Sequence, residues 1–264
     1  MKPGARLKTA VEVSRIRIAG RIIGRIFKEL SGIIAVGMTT RDIEVFCKNL
    51  IGENGAESAL KGFDGYPGHV CVSVNQVMAH GIPNDYTVGE GDLVKVDIAV
   101  KKGGWFADGA WTFLVGRGTE EGHRLRNSSW AASMAGIEAA CGGARVGDIG
   151  EAVEKAVTER GCYIIPHFAG HGIGFQLHEE PPIYPVGKSG YGHPVVPGMV
   201  FTVEPLVTLR PEEVKFLHDG WTAVAANGSP SAQFEHTVSV NSRGTEILTA
   251  CPEDLPYGRE IPPF

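Results

Sequence analysis

Five side chains in this chain have the types needed for metal chemistry: Asp97, Asp108, His171, Glu204 and Glu235. Four carboxylates and one imidazole make an oxygen-rich donor set with a single nitrogen. Such a set suits divalent Co, Mn, Fe or Zn better than the soft ions that thiolates select. The charge count is direct. A buried cluster of four carboxylates without cations would take up protons rather than stay ionised. One dication would leave excess negative charge. Two divalent metal ions, about 3.5–4 Å apart and sharing bridging carboxylates, cancel it.

These residues need elements to position them. Asp97 and Asp108 bracket the stretch D-I-A-V-K-K-G-G-W-F-A-D, with strand-like runs on either side and turn residues at Lys101–Gly104. A hairpin folded symmetrically about Lys102–Gly103 places the two aspartates directly opposite each other, with Cβ atoms about 4.5–5.5 Å apart. In another register both would be solvated flanks of a turn. Glu204 closes the apolar run V-F-T-V-E, and Glu235 opens a strand of alternating apolar residues. Either glutamate facing solvent is the competing reading. His171 lies between two glycines, in A-G-H-G-I-G, which permits close backbone approach and unusual dihedrals. Two further histidines, His80 in M-A-H-G-I and His178 in L-H-E-E-P-P, have the chemistry to donate to a scissile carbonyl or a developing oxyanion. His167 pairs with no such role and reads as structural.

Around these residues the chain reads as a duplicated unit. Helices are expected over roughly 9–30 and 39–52, each opened by a capping box, with strands near 70–74 and 93–100. The same order then recurs, with helices near 120–141 and 148–160 and strands near 163–168 and 200–207. V-G-M-T-T-R-D-I (Val36–Ile43) is echoed by V-G-D-I (Val146–Ile149), A-H-G-I (Ala79–Ile82) by G-H-G-I (Gly170–Ile173), and G-D-L-V-K-V-D (Gly91–Asp97) by G-M-V-F-T-V-E (Gly198–Glu204). The expectation is one α+β domain over residues 1–264, with pseudo-repeats at about 7–115 and 119–250 related by a pseudo-two-fold axis. The proline-bearing tail after Cys251 reads as loop. In the first helix, Ile18, Ile22, Ile26 and Leu30 are expected to form the apolar stripe.

Composition narrows the function class. The 264 residues carry a net charge of −5, with no general nucleic-acid footprint. Eight basic residues among the first thirty mark the solvated face of an amphipathic helix, with an RNA or anionic surface as the competing reading. Five scattered cysteines, none in a CxxC pair, suit a reducing cytoplasmic setting. No apolar run reaches transmembrane length, and the N-terminus lacks a secretory core.

The stretches G-H-G-I-G-F-Q-L-H-E-E-P (Gly170–Pro181), G-M-V-F-T-V-E-P (Gly198–Pro205), D-G-W (Asp219–Trp221) and S-A-Q-F-E-H-T (Ser231–Thr237), with the Asp97–Asp108 spacing, resemble a type I methionine aminopeptidase over about residues 7–248. The resemblance implies the pita-bread (creatinase/aminopeptidase) fold: two pseudo-symmetric halves with antiparallel sheet and flanking helices. It implies that Asp97 holds one metal, His171 and Glu204 the other, and that Asp108 and Glu235 bridge them. Glu204 doubles as general base, His178 holds the substrate carbonyl and His80 approaches the scissile amide nitrogen. Phe63, Tyr66, Cys71, Leu177 and Trp221 would line the methionine pocket. Phe63 replaces a common tyrosine, while Leu60 and Leu177 replace the cysteine and phenylalanine of many relatives. Asp108 is followed by G-A-W rather than the usual small hydroxyl pair. The implied partners are N-terminal Met peptides and nascent chains, with the ribosome as a candidate, no DNA, no membrane and a monomeric state. Two other readings stay open. An Xaa-Pro aminopeptidase of the same fold carries an extra N-terminal domain, whereas Met1 here lies about eight residues before the first helix. A metal-free binding module would have lost ligands, and all five are present.

Overall fold

The structure is a computed structural model that describes residues 4–251 and 261–262. Apart from Cys251 and those last two positions, the tail expected to be loop lies outside the described residues. Among the described residues there are four α-helices: α1 (Ala10–Ser31), α2 (Thr40–Glu53), α3 (Glu120–Ala139) and α4 (Val146–Thr158). The first two start where their caps dictate. Thr9 and Glu12 form a reciprocal capping box, as do Thr39 and Asp42, so each helix enters with its first backbone donors satisfied.

The buried face of α1 includes Ile22, Ile26 and Leu30 as expected but not Ile18. Ile16, Ala19, Ile22, Ile23, Ile26, Phe27 and Leu30 are buried, whereas Ile18 is 53% exposed. Residues four apart drift by about 40° per step around a helix of 3.6 residues per turn. The stripe through Ile18 therefore leaves the core within three steps, and the true face is centred on Ile16, Ile23 and Leu30.

The main sheet is built from antiparallel pairings. Its path runs Glu57–Ser58, Leu93–Lys102, Trp105–Leu114, Glu235–Asn241, Val200–Val203, Gly170–Gly172 and Glu179–Ile183. Cys71–Val74 pairs with Leu93–Lys102, and Gly244–Ile247 with Glu235–Asn241. Helix α1 packs on the Leu93–Leu114 hairpin, and α3 packs on α4 and on Ser231–Gln233. The centre of the sheet, where Glu235 stands opposite Ala110 and His236 opposite Gly109, joins strands from the earlier and later parts of the chain.

The expected strand at 163–168 shortens to Tyr163–Ile164, ahead of Pro166. The expected strand at 200–207 divides into Val200–Val203 and Leu206–Thr208, because Pro205 has no N–H to donate. The division is matched across the sheet. Val200–Val203 pairs with the strand that starts at Glu235, and Leu206–Thr208 pairs with Ser231–Gln233. Both strands thus break side by side, at Glu204–Pro205 and at Phe234.

Candidate metal centre

The Leu93–Leu114 hairpin turns at Gly103–Gly104, with φ of 58° and 83°. Two consecutive positive φ values are what a two-residue hairpin turn of type I′ requires. The turn sits one position later than expected, so the direct-opposition register is wrong. Asp97 faces Ala110, and Asp108 faces Ala99. The slip moves each partner by two residues, and a slip of two keeps the side chain on its face. Asp97 and Asp108 remain diagonal neighbours on one face, close enough for each to shift the pKa of the other.

The other three expected ligands meet them there. Nε2 of His171 lies 3.8 Å from Asp108 Oδ2 and 3.7 Å from Glu204 Oε1. Asp108, His171 and Glu235 each offer a ligand atom, all within 4.8 Å of one another. Glu204 and Glu235 lie close enough for each to shift the pKa of the other. Asp108 and Glu235 are buried, whereas Asp97, His171 and Glu204 keep partial exposure. Burial pushes Asp97 well above the usual carboxylate range, reinforced by the charges of Asp108 and Glu204. Burial likewise raises Asp108 to about 6, against the N–H of Gly109. It raises Glu204 to about 8, against the Thr202 hydroxyl. Glu235 is raised well above its ordinary value by burial and then by Asp108, Glu204 and Asp97. A cluster that must hold protons when alone is a cluster that divalent cations would neutralise.

The imidazole is set up for the same role. Burial lowers the pKa of His171 to about 3, so the ring is neutral. Its Nδ1 lies 3.0 Å from the Gly172 carbonyl, which can only accept. Nδ1 therefore carries the proton, and the lone pair of Nε2 points toward the carboxylates. The flanking glycines act through close approach. A Cβ on Gly170 would stand 2.3 Å from the Thr202 carbonyl oxygen, and one on Gly172 2.4 Å from that of Glu180. Neither has the positive φ that the sequence also allowed.

One residue that sequence reasoning missed ties the ligands together. Thr202 Oγ1 donates to Glu204 Oε1 at 2.7 Å and accepts the backbone N–H of His171 at 3.0 Å. The available signal was alternation, since residues 202 and 204 share a strand face. Thr237 plays a parallel part: its hydroxyl accepts the Asp108 N–H at 2.9 Å and donates to the Asp108 carbonyl.

Above the ligands lies a rim of rings. His178 stands edge-to-face on His171 at 4.2 Å and on Phe63 at 5.1 Å. His80 adopts φ of 54° and packs against Phe168 at 5.7 Å and Trp221 at 6.0 Å. Burial lowers the pKa of both rim histidines, and for His80 the neighbouring His178 adds to it. Tyr66 meets Trp221 at 5.2 Å and anchors its hydroxyl on the Gly81 carbonyl at 2.9 Å. Cys71 stands opposite Asp97 in the sheet, and its thiol touches the Tyr66 hydroxyl. Leu177 is buried beside exposed His178. A depression of about 470 Å³, lined by Arg6, Phe175, Gln176 and His178, opens next to this rim. His167 contacts Phe168 and Phe216.

Residues 14–242 match the model of metallopeptidase family M24. The chain is 35% identical to methionine aminopeptidase 1 of Bacillus subtilis, over 92% of this chain and 98% of that protein. It superposes on the crystal structure of methionine aminopeptidase from Thermotoga maritima with a TM-score of 0.91 and 34% identity, covering 93% of this chain and 99% of that one. Against the prolidase from Pyrococcus furiosus the TM-score is 0.74 at 24% identity, over 92% of this chain and 65% of the other, a likeness of fold. The pita-bread architecture, the metallopeptidase donor set and the extent of these matches agree, and the chain belongs to metallopeptidase family M24.

Proposed function

We propose that this chain is a methionine aminopeptidase, hydrolysing the bond after the N-terminal methionine of peptides and nascent proteins. The observation that carries the reading is the convergence of four carboxyls on His171, in a chain alike to methionine aminopeptidases over nearly its full length. Two divalent ions, of Mn, Fe, Co or Zn, fit the charge of the cluster. Asp97, Asp108, His171, Glu204 and Glu235 would hold them. When bound, the ions supply a water of lowered pKa and polarise the scissile carbonyl.

The remaining chemistry falls to side chains. Glu204 takes a proton from the attacking water and delivers it to the leaving amine, so the C–N bond breaks to give free methionine and a shortened peptide. His178, at the exposed rim, donates to the carbonyl oxygen as negative charge develops there. His80 steadies the scissile amide nitrogen. Phe63, Tyr66, Cys71, Leu177 and Trp221 form an apolar slot that suits a flexible thioether. A small second residue is preferred.

The whole chain acts as one domain of two pseudo-repeats. It works in the cytoplasm as a monomer, on nascent chains and with the ribosome as a candidate partner. Cys47, Cys71, Cys141 and Cys162 are free thiols, in agreement with a reducing compartment. No helix among the described residues is long and apolar enough to cross a membrane. The test is hydrolysis of Met-Ala-Ser, Met-Leu-Ser and Ala-Pro-Ala peptides by protein loaded with each metal. Met-Ala-Ser is expected to be the best substrate. Faster cleavage of Ala-Pro-Ala moves the protein to the Xaa-Pro class.

A further inference from the structure

The turn that carries Leu177 and His178 has little support of its own: Gln176 and His178 are exposed, and no regular element spans 173–178. It is organised around one carboxylate. Glu179 Oε1 accepts the backbone N–H of Phe175 at 2.6 Å and of Gln176 at 3.1 Å. Its other oxygen, Oε2, meets the ammonium of Lys8 at 2.5 Å. The pair is nearly sealed, with the two side chains 1% and 8% exposed. In sequence the partners are 171 residues apart.

Lys8 reaches the site by a second route as well. Its backbone N–H donates to the Gly198 carbonyl at 2.7 Å, at the head of the segment that ends in Glu204. The Lys8 stem also fills the space beside Gly174, where an added Cβ would lie 2.8 Å from Cε. On the outer side, the Arg6 guanidinium covers the Phe175 ring, 3.0 Å from its centroid. Residues 6–8 thus form a strap across the back of the His178 turn. Glu179 stands opposite Gly172 after a register shift that begins at His171. Fixing Glu179 therefore fixes the spacing between His178 and His171, whose rings lie 4.2 Å apart.

We infer that Lys8 is a positioning residue for the reaction: through Glu179 it holds His178 where the substrate carbonyl arrives. A buried ion pair between distant segments contributes little net stability against apolar replacements, but removing one partner leaves the other charge buried and unpaired. That asymmetry gives geometry rather than bulk stability as the role. The inference rests on the methionine aminopeptidase reading for what His178 does. It rests on coordinates alone for what holds the turn.

The experiment has two arms. In the first, amide hydrogen exchange of residues 174–179 is followed in metal-free protein, with no activity involved. Lys8→Met and Glu179→Gln should each speed exchange in this turn by at least about tenfold while α1 and α3 keep wild-type protection. Glu179→Gln retains an acceptor for Phe175 and Gln176, so it serves if Lys8→Met does not fold. In the second arm, kcat/KM on Met-Ala-Ser is measured in a double-mutant cycle with His178→Ala. Lys8→Met should cost about tenfold or more alone and less than about twofold in the His178→Ala background, the non-additivity expected of residues acting as a unit. Unchanged exchange in the turn, or losses that multiply across the cycle, overturns the inference. A wild-type protein that leaves Met-Ala-Ser intact overturns the reading of function instead, and leaves the exchange arm to decide the strap.

Discussion

The floor of the site and its rim are built on opposite physical terms. The floor carboxyls sit on strands or at strand ends in the middle of a sheet, where burial raises their pKa values. The rim histidines sit outside the strands. His80 holds a left-handed backbone conformation, and exposed His178 hangs on a turn held by one buried ion pair. A floor made of like charges cannot be loosened without losing its cations, so it is held by sheet register. A rim that must admit a peptide and meet a changing carbonyl cannot be held that way. The difference sorts the expected consequences of damage: floor changes should act through metal and proton, rim changes through the transition state.

Removing the metals should have the largest effect. Exhaustive chelation is expected to abolish turnover, with recovery on adding back a divalent ion. The metal-free protein should also show a characteristic pH dependence. Burial raises Asp108 from 3.8 to about 6 and Glu204 from 4.5 to about 8. The folded state then holds protons that the unfolded chain has released. Its stability is therefore complete below the lower values and declines as pH rises through the upper ones. Thermal melts of metal-free protein should fall between about pH 5 and 8, and bound metal should flatten that slope. A metal-free melting temperature that climbs over this range would break the account of the floor.

Glu204→Gln comes next. The protein should fold and lose at least about 10²-fold in kcat, because one carboxyl both binds metal and moves protons. Near-normal kcat in metal-replete buffer would take Glu204 out of the proton path. His80→Ala tests the rim: kcat should drop by about 10²–10³-fold with KM little changed, as for a donor that acts mainly in the transition state. A loss confined to KM would make His80 a wall of the pocket. The smallest effect concerns side-chain selectivity. With Leu60 and Leu177 in place of bulkier or sulfur-bearing residues, discrimination between Met-Ala and Leu-Ala substrates should amount to only about 1–3 kcal/mol in kcat/KM. A Leu177→Phe protein should sharpen it.

Much of the floor was legible before any coordinates. A carboxylate inside V-F-T-V-E, or two of them bracketing a hairpin, is out of place unless a cation is near, and that holds without knowing the fold. The capping boxes at Thr9 and Thr39 located two helix starts because they are satisfied within one turn. What failed was finer. The hairpin register was misjudged by two because either Lys102–Gly103 or Gly103–Gly104 could turn, and only the second supplies two residues free to take positive φ. On α1 only Ile18 falls outside the expected face, because an i, i+4 series drifts around the helix. The Lys8–Glu179 strap had no signal at all.

The sequence by itself determined the chemistry: the donor types, their number and the charge they must shed, along with the local starts and stops of the elements. Those follow from forces acting within a few residues, namely caps, turns, alternation and the cost of burying charge. Only the tertiary structure decided which nitrogen of His171 faces the carboxylates, that Glu204 and Glu235 come together at matched breaks in neighbouring strands, and that Lys8 reaches the turn of a rim histidine. Each of these depends on contacts between segments far apart in the chain. Their geometry is set by packing the whole sheet, and no short stretch of sequence contains it.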